Sequence, residues 1–115
     1  MKSLATDRPG LGEFEQLVLL AVLNLGPDAH AASIRARIES AARRTVTRGA
    51  LYATLERLET KGYLADDVED GPPERGGIPR RRFTVTARGL GAVRRTFGAL
   101  RTLTRGLDRL LGHAS

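Results

Sequence analysis

Arg80, Arg81 and Arg82 form an uninterrupted basic run, and from Arg75 to Arg109 every charged residue except Asp108 is an arginine. A guanidinium is a planar fork of donors that fits phosphate oxygens or the guanine edge, so this pattern suits binding to a polyanion. A second constellation opens at Thr47 and Arg48, with Tyr52 one helical turn further on. Catalytic constellations are not evident. The chain has no cysteine and only two histidines, His30 and His113, too few for a zinc site or a disulfide framework. It also lacks a glycine-lysine-serine phosphate loop, and neither histidine stands beside a plausible nucleophile and carboxylate. An enzyme is therefore not expected, and no cofactor is implied.

These side chains need a scaffold, and 115 residues with 41% hydrophobic content suffice for one domain with a modest core. The formal charge of +6 and a pI near 11 attract nucleic acid or an anionic surface. The longest apolar run, Leu17 to Leu23, is far short of a bilayer span and follows acidic Glu13 and Glu15, so a cytoplasmic protein with no membrane partner is expected. An acidic stretch, Asp66, Asp67, Glu69, Asp70 and Glu74, precedes the arginines.

Met1 to Gly10 reads as a flexible arm. Gly12 to Leu25 reads as a helix that is apolar around nearly its whole circumference, which one small domain cannot cover alone. Gly26 and Pro27 stop it. A second helix is expected over roughly Ala29 to Ala42, with Ile34, Ile38 and Ala41 inward. The third starts at the N-cap Thr47, with Val46 and Leu51 as a hydrophobic staple, and ends at Gly62, where Tyr63 can meet Leu58. With Leu51, Leu55 and Leu58 inward, Gly49, Ala53, Glu56 and Thr60 point out, Arg48 and Tyr52 lie on one flank, and Arg57 and Lys61 on the other.

The period then changes. Leu64 to Glu69 and Arg80 to Val85 read as strands of a hairpin with a long, mobile tip rich in glycine and proline. Phe83 and Val85 face the core, and Arg82, Thr84 and Arg80 face away. The last helix has Thr86 as N-cap with Val85 and Leu90 as staple. Leu90, Val93, Phe97, Leu100, Leu107 and Leu111 make a heptad seam of about three repeats with Thr104 in its gap, widened by Leu103 and Leu110. Its four glycines, Gly89, Gly91, Gly98 and Gly106, make it dependent on packing. The expected organisation is mainly α with a small β-hairpin: an arm over 1–10, a winged helix-turn-helix over 11–85 and a dimerisation helix over 86–112. Phe14, Leu17 and Leu20 of the first helix would join the terminal seam in a homodimer.

In that layout the third helix enters the major groove of duplex DNA N-terminus first. Thr47, Arg48, Gly49, Tyr52, Ala53 and Arg57 are the candidate contacts on it, with Arg48 placed to reach guanine and the Tyr52 hydroxyl to donate to a phosphate. Arg75, Arg80, Arg81 and Arg82 on the wing suit phosphates. Bland alternatives stand beside these roles: a half-buried core tyrosine for Tyr52, and a solvated helix end for Arg57 and Lys61. Outward Glu56 either accepts from a cytosine amine or stays outside the groove.

The run Leu11 to Leu23, LGEFEQLVLLAVL, resembles the first helix of short PadR-like bacterial transcriptional regulators. Gly49 to Gly62, GALYATLERLETKG, is similar to their recognition helix, Pro73 to Gly77 to their wing tip, and Thr86 to Gly89 to the opening of their last helix. The resemblance implies a homodimeric DNA-binding regulator, usually a repressor, whose first and last helices pack against the other subunit. Two departures stand out. Ala29-His30-Ala31 replaces the usual Ala-Tyr-Gly, which makes His30 a substitute packer rather than a sensor, and Ile78-Pro79 replaces the usual basic residues of the wing. Some relatives bind flat aromatic molecules between subunits on a tryptophan, which this chain lacks. Phe14 and Phe97 could still line an interface cavity for a small-molecule effector, although core fill is the simpler role. The main rival function is a winged-helix protein-interaction module. RNA binding ranks below it, because 4% aromatics leave few rings for base stacking.

Overall fold

Ala29 holds the first surprise of the fold, because at φ −84° and ψ 87° it lies outside any helix where a helix start was expected. Its carbonyl accepts the Phe83 N–H at 2.9 Å, which ties this segment to the hairpin, and His30 becomes the N-cap of the helix that follows. The computed structural model describes residues 11–71 and 73–112, and the arm expected over Met1 to Gly10 lies outside them. The chain runs α1 (Glu13–Leu25), α2 (Ala31–Ala42), α3 (Arg48–Thr60), β1 (Leu64–Glu69), β2 (Arg80–Val85), α4 (Ala87–Leu103) and α5 (Asp108–Leu111), with single 3-10 turns at Gly26–Asp28 and Pro73–Arg75. This is a mainly α fold with one antiparallel hairpin, in the order of a winged helix-turn-helix.

Local signals set the ends of α3. Thr47 Oγ1 accepts the Ala50 N–H at 3.1 Å, and the staple residues Val46 and Leu51 are both buried. At the other end the Tyr63 N–H donates to Leu58 O and the Gly62 N–H to Glu59 O, each at 2.9 Å, with Gly62 at φ +80°. That pair of bonds is a Schellman motif, which needs the left-handed residue glycine supplies. Thr86 then joins two elements: its Oγ1 accepts the Gly89 N–H at 3.0 Å and donates to Gly62 O at 2.7 Å. Gly89 is required by this approach, since a Cβ there would lie 2.3 Å from Tyr63 O.

The core lies between α1, α2, α3 and the hairpin, with Ala92 and Val93 of α4 joining it. Val18, Leu19 and Val22 meet Ile34, Ile38, Leu51, Leu55, Leu58 and Phe83, all buried. On α2 the inward stripe continues to partly buried Ala42 rather than to Ala41, which is exposed. The i, i+4, i+8 row from Ile34 explains the difference. No helix among the described residues is long and apolar enough to cross a membrane.

The C-terminal segment departs most from expectation. The helix stops at Leu103, Gly106 turns the chain at φ +82°, and α5 restarts for four residues, so the seam through Leu107 and Leu111 is not one continuous helix. A glycine at a left-handed position ends the helical hydrogen-bond ladder there. Val93, expected in the partner-facing seam, is 6% exposed and belongs to the subunit's own core. Phe97 and Leu100 of the same seam are 52% and 51% exposed. Leu90 is partly buried, and on α1 Phe14 and Leu17 pack against the core while Leu20 and Leu23 are exposed.

Candidate nucleic-acid interface

α3 presents one open face. Arg48, Gly49, Tyr52, Ala53 and Glu56 are exposed along it, with the N-cap Thr47 at its tip. Tyr52 is 41% exposed, with its ring 6.0 Å from the Arg48 guanidinium carbon, so it is not a core residue. Beside this face a groove of about 430 Å³ separates α3 from the start of α2 and from β2, lined by His30, Arg35, Arg48, Tyr52, Arg80 and Phe83 among others. Arg48 has no ion pair among the described residues. Thus the first turn of α3 carries an uncommitted guanidinium beside a concave, cation-lined surface.

The opposite flank of α3 is committed inside the subunit. Arg57 Nε donates to Glu15 Oε2 at 3.2 Å and Arg57 Nη2 to Thr54 Oγ1 at 3.1 Å. Lys61 Nζ donates to both Glu15 oxygens at 3.0 and 2.9 Å. The Gly12 N–H adds a further bond to Glu15 at 3.0 Å. Burial pushes the Glu15 pKa up, but the Gly12, Lys61 and Arg57 donors together hold it below the ordinary glutamate value. Arg57, a sequence candidate for DNA contact, therefore ties α3 to α1.

The wing arginines meet the acidic stretch that precedes them. The register Asp66↔Phe83, Asp67↔Arg82, Val68↔Arg81 and Glu69↔Arg80 sets two pairs of opposite charges directly across the strands, Asp67 with Arg82 and Glu69 with Arg80. Arg82 Nη2 lies 3.4 Å from Asp67 Oδ2 and Arg80 Nε 3.5 Å from Glu69 Oε2, both long. Arg81 is held more closely: its Nε donates to Asp66 Oδ2 at 2.5 Å and its Nη2 to Glu59 of α3 at 2.9 and 3.1 Å. Buried His30 completes the set, its Nε2 donating to Glu69 Oε2 at 2.6 Å, a bond that is the leading cause of a lowered Glu69 pKa. Of the candidate Arg75, the side chain lies outside the described residues.

Sequence reading missed Glu15, Glu59, Asp66, Asp67 and Glu69. The signal for the last three was available, because two six-residue strands with the expected bounds pair in only one full register. Between Leu64 and Val85 the hairpin holds five acids against four arginines, whereas Ala87 to Gly112 holds six arginines against Asp108 alone. Most of the excess positive charge thus resides on the C-terminal helices and not on the wing.

Comparison with known proteins agrees with this architecture. The model of the transcriptional regulator PadR-like family matches residues 19–95, about two thirds of the chain. A PadR-like transcription factor from Bacteroides fragilis is 22% identical over 84% of this chain and 88% of its own, with a TM-score of 0.64. A PadR family transcriptional regulator from Eggerthella lenta is 25% identical, with coverages of 89% and 88% and a TM-score of 0.61. A PadR-like regulator from Bacillus cereus shares the fold at a TM-score of 0.68 with 14% identity, covering 88% of this chain and 93% of that one. No curated protein matches the chain. With the capped third helix, its open basic tip and the flanking hairpin in place, the chain belongs to the PadR-like family of DNA-binding transcriptional regulators.

Proposed function

We propose that the protein is a bacterial, cytoplasmic repressor that binds an inverted repeat of duplex DNA as a homodimer. The single observation that carries this reading is the open N-terminal half of α3, where Arg48 has no acid partner among the described residues and Tyr52 stands exposed beside it. Arg48 reads a base edge, Tyr52 donates to a phosphate, and Thr47, Gly49 and Ala53 line the closest approach. Arg80 and Arg82 exchange their long carboxylate contacts for phosphates. Arg75 extends the same track.

The exposed stripe of Phe97, Leu100 and Leu103 on α4, with Leu20 and Leu23 on α1, supports the dimer. Charge supports it as well. The segment 13–28 carries no basic residue, with Glu13 and Asp28 exposed on it, whereas α4 is rich in arginine, so α4 of one subunit suits this segment of the other. Such a dimer sets two α3 helices about 34 Å apart, one turn of duplex. Repression follows from occupancy of the promoter. The dimer interface beside Phe14 and Phe97 is also the place for a small-molecule effector.

One observation favours a second reading, a module that docks a protein: the wing carries more acids than arginines. Selection from a library of random duplexes separates the two. Enrichment of an inverted repeat with half-sites about 10 base pairs apart supports the repressor, and recovery of no preferred sequence supports the docking module.

A further inference from the structure

We infer that Arg81 is a positioning residue rather than a phosphate contact: gripped by Glu59 of α3 and Asp66 of β1, it fixes the angle of the wing to the helix that enters the groove. The inference rests on the proposed reading of α3 as the DNA-reading helix. One edge of the guanidinium serves both acids, Nε at 2.5 Å from Asp66 and Nη2 at 2.9 and 3.1 Å from the two Glu59 oxygens. The same guanidinium stacks 4.8 Å from the ring centre of buried Phe83. Three elements, α3, β1 and β2, therefore meet on one side chain.

Two further facts decide between positioning and phosphate binding. The first is charge. Two carboxylates face one guanidinium, so the cluster offers no net positive charge, and an approaching phosphate would be a third anion. The second is where the tethers run: the His30–Glu69 bond at 2.6 Å and the Phe83 N–H bond to Ala29 O tie the hairpin to the segment that opens α2, whereas Arg81 ties it to α3. Beyond Phe83 the hairpin leaves the core, with Val68 68% and Ile78 58% exposed, so apolar packing does not set its angle. Arg80 and Arg82, with contacts of 3.4 to 3.5 Å, remain exchangeable.

R81Q and E59Q test this by two readouts: amide hydrogen exchange of the free protein, and salt-dependent binding to a random 30-base-pair duplex and to the duplex that the wild type enriches. A clamp predicts that both variants speed exchange in β1 and β2 by about tenfold. It predicts an unchanged salt slope on random duplex and a loss of selectivity of about tenfold, the scale of one base pair. A phosphate contact predicts that R81Q lowers the slope by about 0.9, and that E59Q, by freeing the guanidinium, tightens random binding; either result overturns the inference. Should the wild type enrich no duplex, the DNA reading falls, while wing exchange unchanged in both variants still overturns the clamp. If R81Q does not fold, R81K carries the same test, since an ammonium keeps the charge but cannot span both acids with one planar edge.

Discussion

Glu15→Gln removes the charge that ties the end of α3 to α1 while keeping the side chain's shape. Lys61, only 20% exposed at its side chain, loses a charge-assisted partner at 2.9 Å, a contact that contributes about 1.5–3 kcal/mol. Arg57 is 53% exposed and screened by water, so its part is under about 1 kcal/mol. Relief from burying a carboxylate offsets some of this, leaving a net loss of about 2 kcal/mol at neutral pH. The pH dependence has a definite sign. Because the folded Glu15 pKa lies below its ordinary value, the unfolded chain takes up the proton first. The stabilisation is therefore complete above about pH 4.3, the unfolded range, and is lost as pH falls through the lower folded value. Urea denaturation of wild type and variant at fixed protein concentration, from pH 7 downward, measures both effects. A variant as stable as wild type at pH 7, or a gap that does not narrow in acid, would refute the role assigned to this carboxylate.

Other substitutions probe the remaining joints. Gly89→Ala forces a methyl into Tyr63 O and should cost about 1–3 kcal/mol or more by thermal melting, against the gain that alanine normally brings to a helix. Thr47→Ala removes the acceptor of the Ala50 N–H and should cost about 1 kcal/mol, weakening DNA binding in proportion to fraying of the α3 tip. Leu100→Asp places a charge in the exposed stripe of α4 and should raise the dimer dissociation constant by at least about 30-fold, or about 2 kcal/mol. Light scattering then reports 12.5 kDa in place of twice that mass.

Residues with strong local signals were legible in the sequence. Thr47, Thr86 and Gly62 announced their caps, and the change of period after Gly62 with the glycine- and proline-rich stretch beyond it marked both strands, because these devices act over a few residues. What was not legible depends on contacts across the fold. Glu15 looks like an ordinary first-turn acid until α3 brings Arg57 and Lys61 to it from 42 and 46 residues away. Arg81 looks like one of three equal arginines until the hairpin and α3 converge on it. Val93 fitted a heptad seam as well as it fits the core, since one helical stripe serves both at 3.5 and 3.6 residues per turn. The break at Gly106 was foreshadowed by its glycine, but the apolar spacing on either side outweighed that signal.

The most direct test of DNA reading by α3 is the ratio of affinities for the enriched duplex and a random duplex, measured for wild type and Arg48→Ala at one salt concentration. Specific recognition predicts a wild-type preference of at least about 10³-fold. Arg48→Ala should reduce that ratio by about 1–3 kcal/mol at one base position while leaving random-duplex affinity within a small factor. Equal wild-type affinity for both duplexes, or an Arg48→Ala loss of the same size on both, would contradict it.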